Sequence, residues 1–261
     1  MKNNAYFCQN FTHWTLRKTA PNPISDDMNK VRAALEKVMS EDLSEIWTIL
    51  NADEKRKITD NFAIHHFKKN QIIYAENEAP EYLWCLLKGK AKLYKDGAGN
   101  RTQILRLIRP VQYFGYRAFF AEESYVSTAA TIEPSILGTI PMTVVKELID
   151  QNISVAWFFI RELSHNLGRS DTNIVNLTQK HLRGRLAEAL IALKDSYGYE
   201  EDGTTIRVYM GRQDLANLSN MTTANAIRTL TDFGNERIIV VDGRTIKIID
   251  EKTLVKISRF G

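Results

Sequence analysis

The side chains best placed to do chemistry lie between Gly211 and Ile249, in GRQDLANLSNMTTANAIRTLTDFGNERIIVVDGRTIKII. Ala226, Leu230 and Phe233, spaced by four and three, mark the apolar side of a helix. Thr222 can cap that helix by accepting a hydrogen bond from a free backbone N–H. The opposite side carries Thr223, Ala224, Asn225 and Arg228, which are small or polar groups around one long cation. Such a face recognises rather than breaks bonds. An arginine there can donate two hydrogen bonds to guanine O6 and N7, and an alanine methyl can pack on thymine. Thr222 and Asn225, Arg212 and Gln213 just upstream, and Arg244 or Lys247 downstream are candidate donors to phosphate oxygens. For Arg212 the competing reading is a local ion pair with Asp214 or Glu236.

These side chains need elements to position them. Gln213, Leu215, Ala216 and Leu218 open a first helix with its apolar side inward, and Ser219-Asn220 is a polar break before the second. Beyond the second helix, Ile238–Val241, the turn pair Asp242-Gly243 and Thr245–Ile249 predict a two-stranded hairpin. Two short helices and a hairpin are the layout of a winged helix-turn-helix, whose second helix fits the major groove. Helix pairs with short turns also occur in folds that bind no DNA, so the rest of the chain must decide.

At 261 residues the chain is long enough for two domains, and its 44% hydrophobic and 25% charged fractions are those of a globular protein. A net charge of +4 is compatible with a polyanionic partner without demanding one. Cys8 and Cys85 lie far apart and neither belongs to a CxxC pair, which argues against a disulfide scaffold or a cysteine metal site and suits a reducing compartment. The most apolar stretch, Ile153–Ile160, is far short of the roughly 20 residues that span a bilayer. Phe7, Phe11 and Trp14 form no unbroken apolar run behind a basic start, so no signal peptide is expected. A cytoplasmic location and no membrane partner are the expectation. No Ser/His/Asp or paired-carboxylate constellation has a recognisable spacing, and neither a catalytic residue nor a metal site is assigned. The adjacent pair His65-His66 would point to opposite faces of a strand, unlike the metal cluster of a jelly-roll enzyme.

Along the chain, residues 1–27 are Asn- and Pro-rich and read as a loosely attached tail. Val31, Leu35 and Val38, then Leu43, Ile46, Trp47 and Leu50, predict helices, and Asn51-Ala52-Asp53-Glu54 restarts one at a capping residue. Helical spacing runs to about Ile64. Near Phe67 the period turns to that of strands, with runs at Gln71–Tyr74, Tyr82–Leu87, Ala91–Tyr94, Thr102–Ile108, Tyr113–Phe114, Val126–Ile132 and Ile136–Ile140. Short strands broken by Gly, Pro and Asn predict an antiparallel barrel or a jelly-roll-like sandwich. After Pro141 comes a long helix. Ile153, Ala156, Ile160, Leu163, Leu167, Ser170, Ile174 and Leu177 step along it by three and four, a seam suited to a two-stranded parallel coiled coil. A core helix packed on its own barrel is the competing reading. A further helix runs through Leu186, Leu190 and Leu193 to Tyr197-Gly198. The expected fold is α+β: helices and barrel over 28–145, a dimerisation helix over 146–178 and a DNA-binding winged helix-turn-helix over 179–261.

A barrel, a seam helix and a winged helix in that order resemble the cyclic-AMP-receptor/fumarate-nitrate-reductase (Crp/Fnr) family of bacterial transcription regulators, over roughly Phe67 to Ile249. Phe67, Lys69, Ile72, Ile73, Ala75 and Glu76 resemble the family's barrel opening, with Asn70 and Glu78 in place of glycines. Lys88-Gly89-Lys90-Ala91 with Asp96-Gly97 is similar to its central hairpin, and Tyr113-Phe114-Gly115 to its F-G motif. Arg212–Ala216 and Ile227–Leu230 resemble its DNA-reading unit. The resemblance implies a barrel of the cyclic-nucleotide-binding type, a homodimer, a palindromic double-stranded DNA operator and RNA polymerase as a partner. It also implies base contacts at Thr223, Ala224 and Arg228. Where many members carry Glu, this chain has Ala224, so a shifted operator is expected.

The departures upstream bear on the signal. Cyclic-nucleotide binders of the family follow F-G with Glu for the ribose and later carry Arg-Ser for the phosphate. Here Gly115 is followed by Tyr116-Arg117, and Ser124–Thr128 holds no arginine. Both charge-assisted anchors are missing, so cyclic AMP is not the expected effector. Tyr116, Arg117, Ser127 and Thr128 are the candidate effector pocket, against the plainer reading that Arg117 reaches out to solvent. Cys8 alone cannot hold an iron–sulfur centre. For a haem-dependent regulator, His65, His66, His165 and His181 are ligand candidates by residue type only. No cofactor is assigned, and the alternative function is a sensor acting on a partner protein without DNA.

Overall fold

The computed structural model of the protein describes residues 45–261. The expected tail, the pattern at Val31, Leu35 and Val38, Leu43 and Cys8 lie outside the described residues. Two helices come first, α1 (Glu45–Thr48) and α2 (Ala52–Asp60). The expected cap at Asn51 is a full capping box: its side chain accepts from the Glu54 N–H at 2.9 Å, and the Glu54 carboxylate accepts from the Asn51 N–H at 2.8 Å.

Eight strands follow: β1 (Ala63–Phe67), β2 (Ile72–Tyr74), β3 (Tyr82–Lys88), β4 (Ala91–Asp96), β5 (Thr102–Ile108), β6 (Tyr113–Phe114), β7 (Thr128–Thr131) and β8 (Ser135–Pro141). A short helix, α3 (Tyr116–Phe120), interrupts them after β6. The strands form two four-stranded antiparallel sheets, β1-β8-β3-β6 and β2-β7-β4-β5. The architecture is the sandwich side of the expectation; the sheets face each other and do not close into a barrel. Helical spacing hid β1 up to Ile64, because its half-covered residues alternate only weakly.

Strand β3 shows how the layers are held. Its residues alternate between two cores, so YLWCLLK reads as an almost continuous apolar run. Trp84 and Leu86 face the space between the sheets with Tyr74, Phe114 and Leu137. Leu83 and Cys85 face the helices on the outer side, with Ile140, Leu148 and Phe159.

Two helices leave the second of these cores, α4 (Met142–Gln151) and α5 (Ile153–Gln179). Their junction, with no Pro or Gly to announce it, is a cap. Asn152 takes an extended backbone and its side chain accepts from the Ser154 N–H at 3.0 Å. The expected boundary at 145/146 therefore falls inside α4, and the long helix starts at Ile153.

The C-terminal unit consists of α6 (Leu182–Tyr197), α7 (Arg212–Leu218), α8 (Thr223–Asn235), β9 (Ile239–Asp242), β10 (Thr245–Ile248) and α9 (Glu251–Phe260). Asn220 at φ 49° turns α7 into α8. Thr245 pairs with Asp242, so the hairpin turn is Gly243-Arg244, one residue later than the expected Asp242-Gly243. Gly243 takes the positive φ of 53° at the first turn position. The unit also packs on the second sheet. Ile104 and Ile132 share a core with Leu186, Leu190, Leu215 and Phe233. Lys92 on β4 pairs with Asp214 on α7 at 2.5 Å. No helix among the described residues is long and apolar enough to cross a membrane.

Candidate nucleic-acid interface and effector cavity

The candidate reading helix is α8. Ala226, Leu230 and Phe233 are buried to 3% exposure or less, which fixes its orientation on the unit's core. Thr222 caps it, accepting from the Asn225 N–H at 3.3 Å. Ala224 and Arg228 then stand exposed on the outer face. Arg228 makes no ion pair or hydrogen bond with a described residue. Thr223 is used within the unit: its hydroxyl donates to Gln213 Oε1 at 2.6 Å, tying the start of α8 to α7.

Both local partners expected to compete for Arg212 are occupied elsewhere. Asp214 is held by Lys92, and Glu236 pairs with Arg183, whose guanidinium also lies 4.7 Å from the Phe233 ring centroid. Arg212 is half-buried, and its Nη1 has no hydrogen-bond partner among the described residues. In the hairpin, Arg244 is exposed at the turn. Lys247 is not a free donor, because its ammonium pairs with Asp202 at 3.1 Å. Asp202 is fixed by Thr205, whose hydroxyl and N–H donate to its carboxylate, and this holds its pKa well below the usual carboxylate range.

The effector candidates divide. A cavity of about 990 Å³ lies among the second sheet, α5 and α6, and Tyr116, Arg117 and Ser127 line it. Gly115 makes this possible. At φ 90° it turns the chain from β6 into α3, and a Cβ there would meet Trp84 Cδ1 at 2.9 Å. The Tyr116 hydroxyl accepts from Asn166 Nδ2 on α5 at 3.1 Å. Arg117 pairs with Glu123 at the surface, so its charge is already matched. Thr128 does not line the cavity. Its hydroxyl accepts from the Glu76 N–H at 3.1 Å at the sheet edge, because β7 alternation turns it away from Ser127. Tyr125 stacks on Tyr74 with ring centroids 3.7 Å apart, and burial pushes its hydroxyl up to about 12.

The seam positions also divide. Ile153, Ile160, Leu167 and Ile174, seven residues apart, are 47% to 70% exposed. Leu163 is partly covered by the protein's own core, Ala156 and Leu177 are half-buried, and Ser170 is exposed. Trp157, 57% exposed, and Val175 add to the apolar stripe and were not among the expected residues. The histidines are scattered. His65 bonds Thr139 at 2.9 Å inside the first sheet, His66 points away, His165 lies on α5 and His181 precedes α6. Cys85 is buried, and burial pushes its thiol up to about 12, which suits a core side chain rather than a thiolate ligand.

Comparison with known proteins matches residues 64–152 to the cyclic nucleotide-binding domain and residues 184–257 to the Crp-like helix-turn-helix domain. A CRP-like cAMP-activated global transcriptional regulator of Mycobacterium tuberculosis is 24% identical over 195 residues, 74% of this chain and 87% of the relative. The anaerobic regulatory protein of Bacillus subtilis is 25% identical over 214 residues, 81% of this chain and 85% of the relative. The solved structure of FixK2 from Bradyrhizobium japonicum superposes with a TM-score of 0.68 at 19% identity, covering 75% of this chain and 96% of that one. The chain belongs to the Crp/Fnr family of DNA-binding transcription regulators.

Proposed function

We propose that the protein acts as a homodimer joined through α5, presenting two α8 helices to successive major grooves of a two-fold operator, under a signal other than cyclic AMP. The carrying observation is the exposed pair Ala224 and Arg228 opposite the buried Ala226, Leu230 and Phe233. An arginine without a partner among the described residues, on a capped and well-anchored helix, is free to read guanine. Thr222, Asn225, Arg212 and Arg244 flank it as phosphate donors. Thr223 and Gln213 hold each other, and in this reading they shape the entry to the groove. Lys247 contributes once its bond to Asp202 is exchanged for a phosphate.

The dimer reading is supported by the stripe at Ile153, Ile160, Leu167 and Ile174. Burying one such side chain is worth about 1.5–3 kcal/mol. Four per chain, with Trp157 beside them, make pairing of parallel helices the economical way to remove them from water. Against cyclic AMP, Tyr116 takes the place of the ribose carboxylate. The Ser124–Thr128 stretch offers no cation, and Arg117 is matched by Glu123. RNA polymerase enters this reading as the partner of the DNA-bound dimer.

The test is the mass of the complex formed on DNA captured from a random pool. Two chains per duplex are expected. One chain per duplex, or no captured DNA, overturns the proposal.

A further inference from the structure

The cavity lining combines two chemistries. Part of it is aromatic, with Tyr74, Phe114 and the stacked Tyr125. Part of it is cationic. Arg106 from β5, Arg169 from α5 and Arg185 from α6 line it, and none makes an ion pair with a described residue. The acids nearby leave this charge standing. Glu188, the one carboxylate in the described lining, is held by Lys180 at 2.9 Å and by the Ser258 hydroxyl. Glu162 attracts Arg169 from beyond ion-pair distance.

Two buried atoms sharpen the point. Nε of Arg106 and Nε of Arg185 have no hydrogen-bond partner among the described residues. A buried donor on a charged group is costly to leave unpaired, and in native proteins such a group marks a place for water or an ion. Partial desolvation of the otherwise exposed side chain, and then repulsion from Arg106 and Arg109, lowers the pKa of Arg169. The like charges therefore work against each other until an anion arrives.

We infer that this junction binds a small organic anion of two or more negative charges, with its charged end on Arg106, Arg169 and Arg185 and its apolar or ring part on Tyr74 and Tyr125. Guanidinium groups pair with phosphate and carboxylate through parallel N–H donors. A cavity of this size, mostly apolar with a few convergent polar groups, suits such a ligand. The cations come from the sensor sheet, the long helix and the first helix of the DNA-reading unit, so one ligand would tie the three together. The inference rests on the proposed regulator for this consequence, and Ser170, Ile174 and Leu177 of the proposed seam line the same cavity, whereas binding itself needs no DNA.

The test is titration calorimetry on the full chain at fixed ionic strength, with inorganic pyrophosphate, citrate, adenosine diphosphate and cyclic AMP. At least one of the three polyanions is expected to saturate. Its affinity should fall at least roughly tenfold in Arg169→Gln and in Arg106→Gln and hold in Arg228→Ala. Arg169 is exposed, so its variant should fold even where Arg106→Gln does not. Pyrophosphate binding without citrate assigns a phosphate ligand, the reverse a carboxylate, and tighter adenosine diphosphate supports the contact with Tyr74 and Tyr125. No saturation by any of the three, or affinity unchanged in Arg169→Gln, overturns the inference. Cyclic AMP, which carries a single negative charge, binding tighter than the polyanions overturns the charge class inferred here together with the independence from cyclic AMP proposed above.

Discussion

Arg228 is exposed and makes no bond with a described residue, while Thr222 and Thr223 are tied into the fold, and that contrast determines what its loss should do. Arg228→Ala should cost about 1–3 kcal/mol on specific DNA and relax one base position, whereas Arg212→Ala should weaken all sequences alike and flatten the salt slope. Equal losses on specific and random DNA for Arg228→Ala would remove its base-reading role. Away from the interface, His65 predicts a pH effect. Burial lowers its pKa in the folded chain below the ordinary 6.5. The unfolded chain then takes up the proton more readily, so the stability this residue contributes is present above 6.5 and is lost as pH falls toward the folded value. Denaturation midpoints should drop between pH 7.5 and 5.5, and His65→Gln should reduce that slope; an unchanged slope contradicts the assignment. Residue types on the reading face were legible in the sequence, because periodicity and capping are local. The partners of Lys247, Thr223 and Asp214 were not, since Asp202, Gln213 and Lys92 lie 10 to 122 positions away.

Among the elements, α5 carries the largest consequence. Its stripe repeats every seven residues while Val155, Phe158 and Phe159 bury on the opposite side, so in the proposed dimer one helix would serve two packing partners. Leu167→Lys places a charge in the middle of the exposed stripe and should convert the dimer to a monomer with little change in helix content. Light scattering checks this, and a persistent dimer removes the seam. The heptad was legible because it is a repeat. The break at Asn152 was not, since a polar cap inside an apolar run leaves no composition signal. Strand β1 escaped because half-covered edge residues alternate weakly, whereas β5 and β6 were bounded as observed by the turn residues around them. The hairpin register slipped by one residue because either Asp242-Gly243 or Gly243-Arg244 satisfies the demand for glycine in the turn.

For the whole molecule, the sensor sheet and the reading unit share one apolar core and a Lys92–Asp214 pair. A ligand at their junction would therefore bias the reading helix through α6 and α7, whose Arg185 and Leu218 line the cavity. Order along the chain pointed to the family. That the reading unit docks on β4 and β5 was not legible, because Ile104 looks like any strand residue. Neither was the convergence of Arg106, Arg169 and Arg185, which are distributed over three elements. Calorimetry with cyclic AMP should give no micromolar binding and no change in DNA affinity, and a clear response of both would contradict that part of the account. The central claim, two-fold DNA reading by α8, is tested most directly by selecting bound sequences from randomised duplex DNA. The predicted result is an inverted repeat with half-sites about one helical turn apart, roughly 10 base pairs, and a guanine whose selection disappears in Arg228→Ala. No enriched motif, or a motif without two-fold symmetry that Arg228→Ala leaves intact, would contradict it.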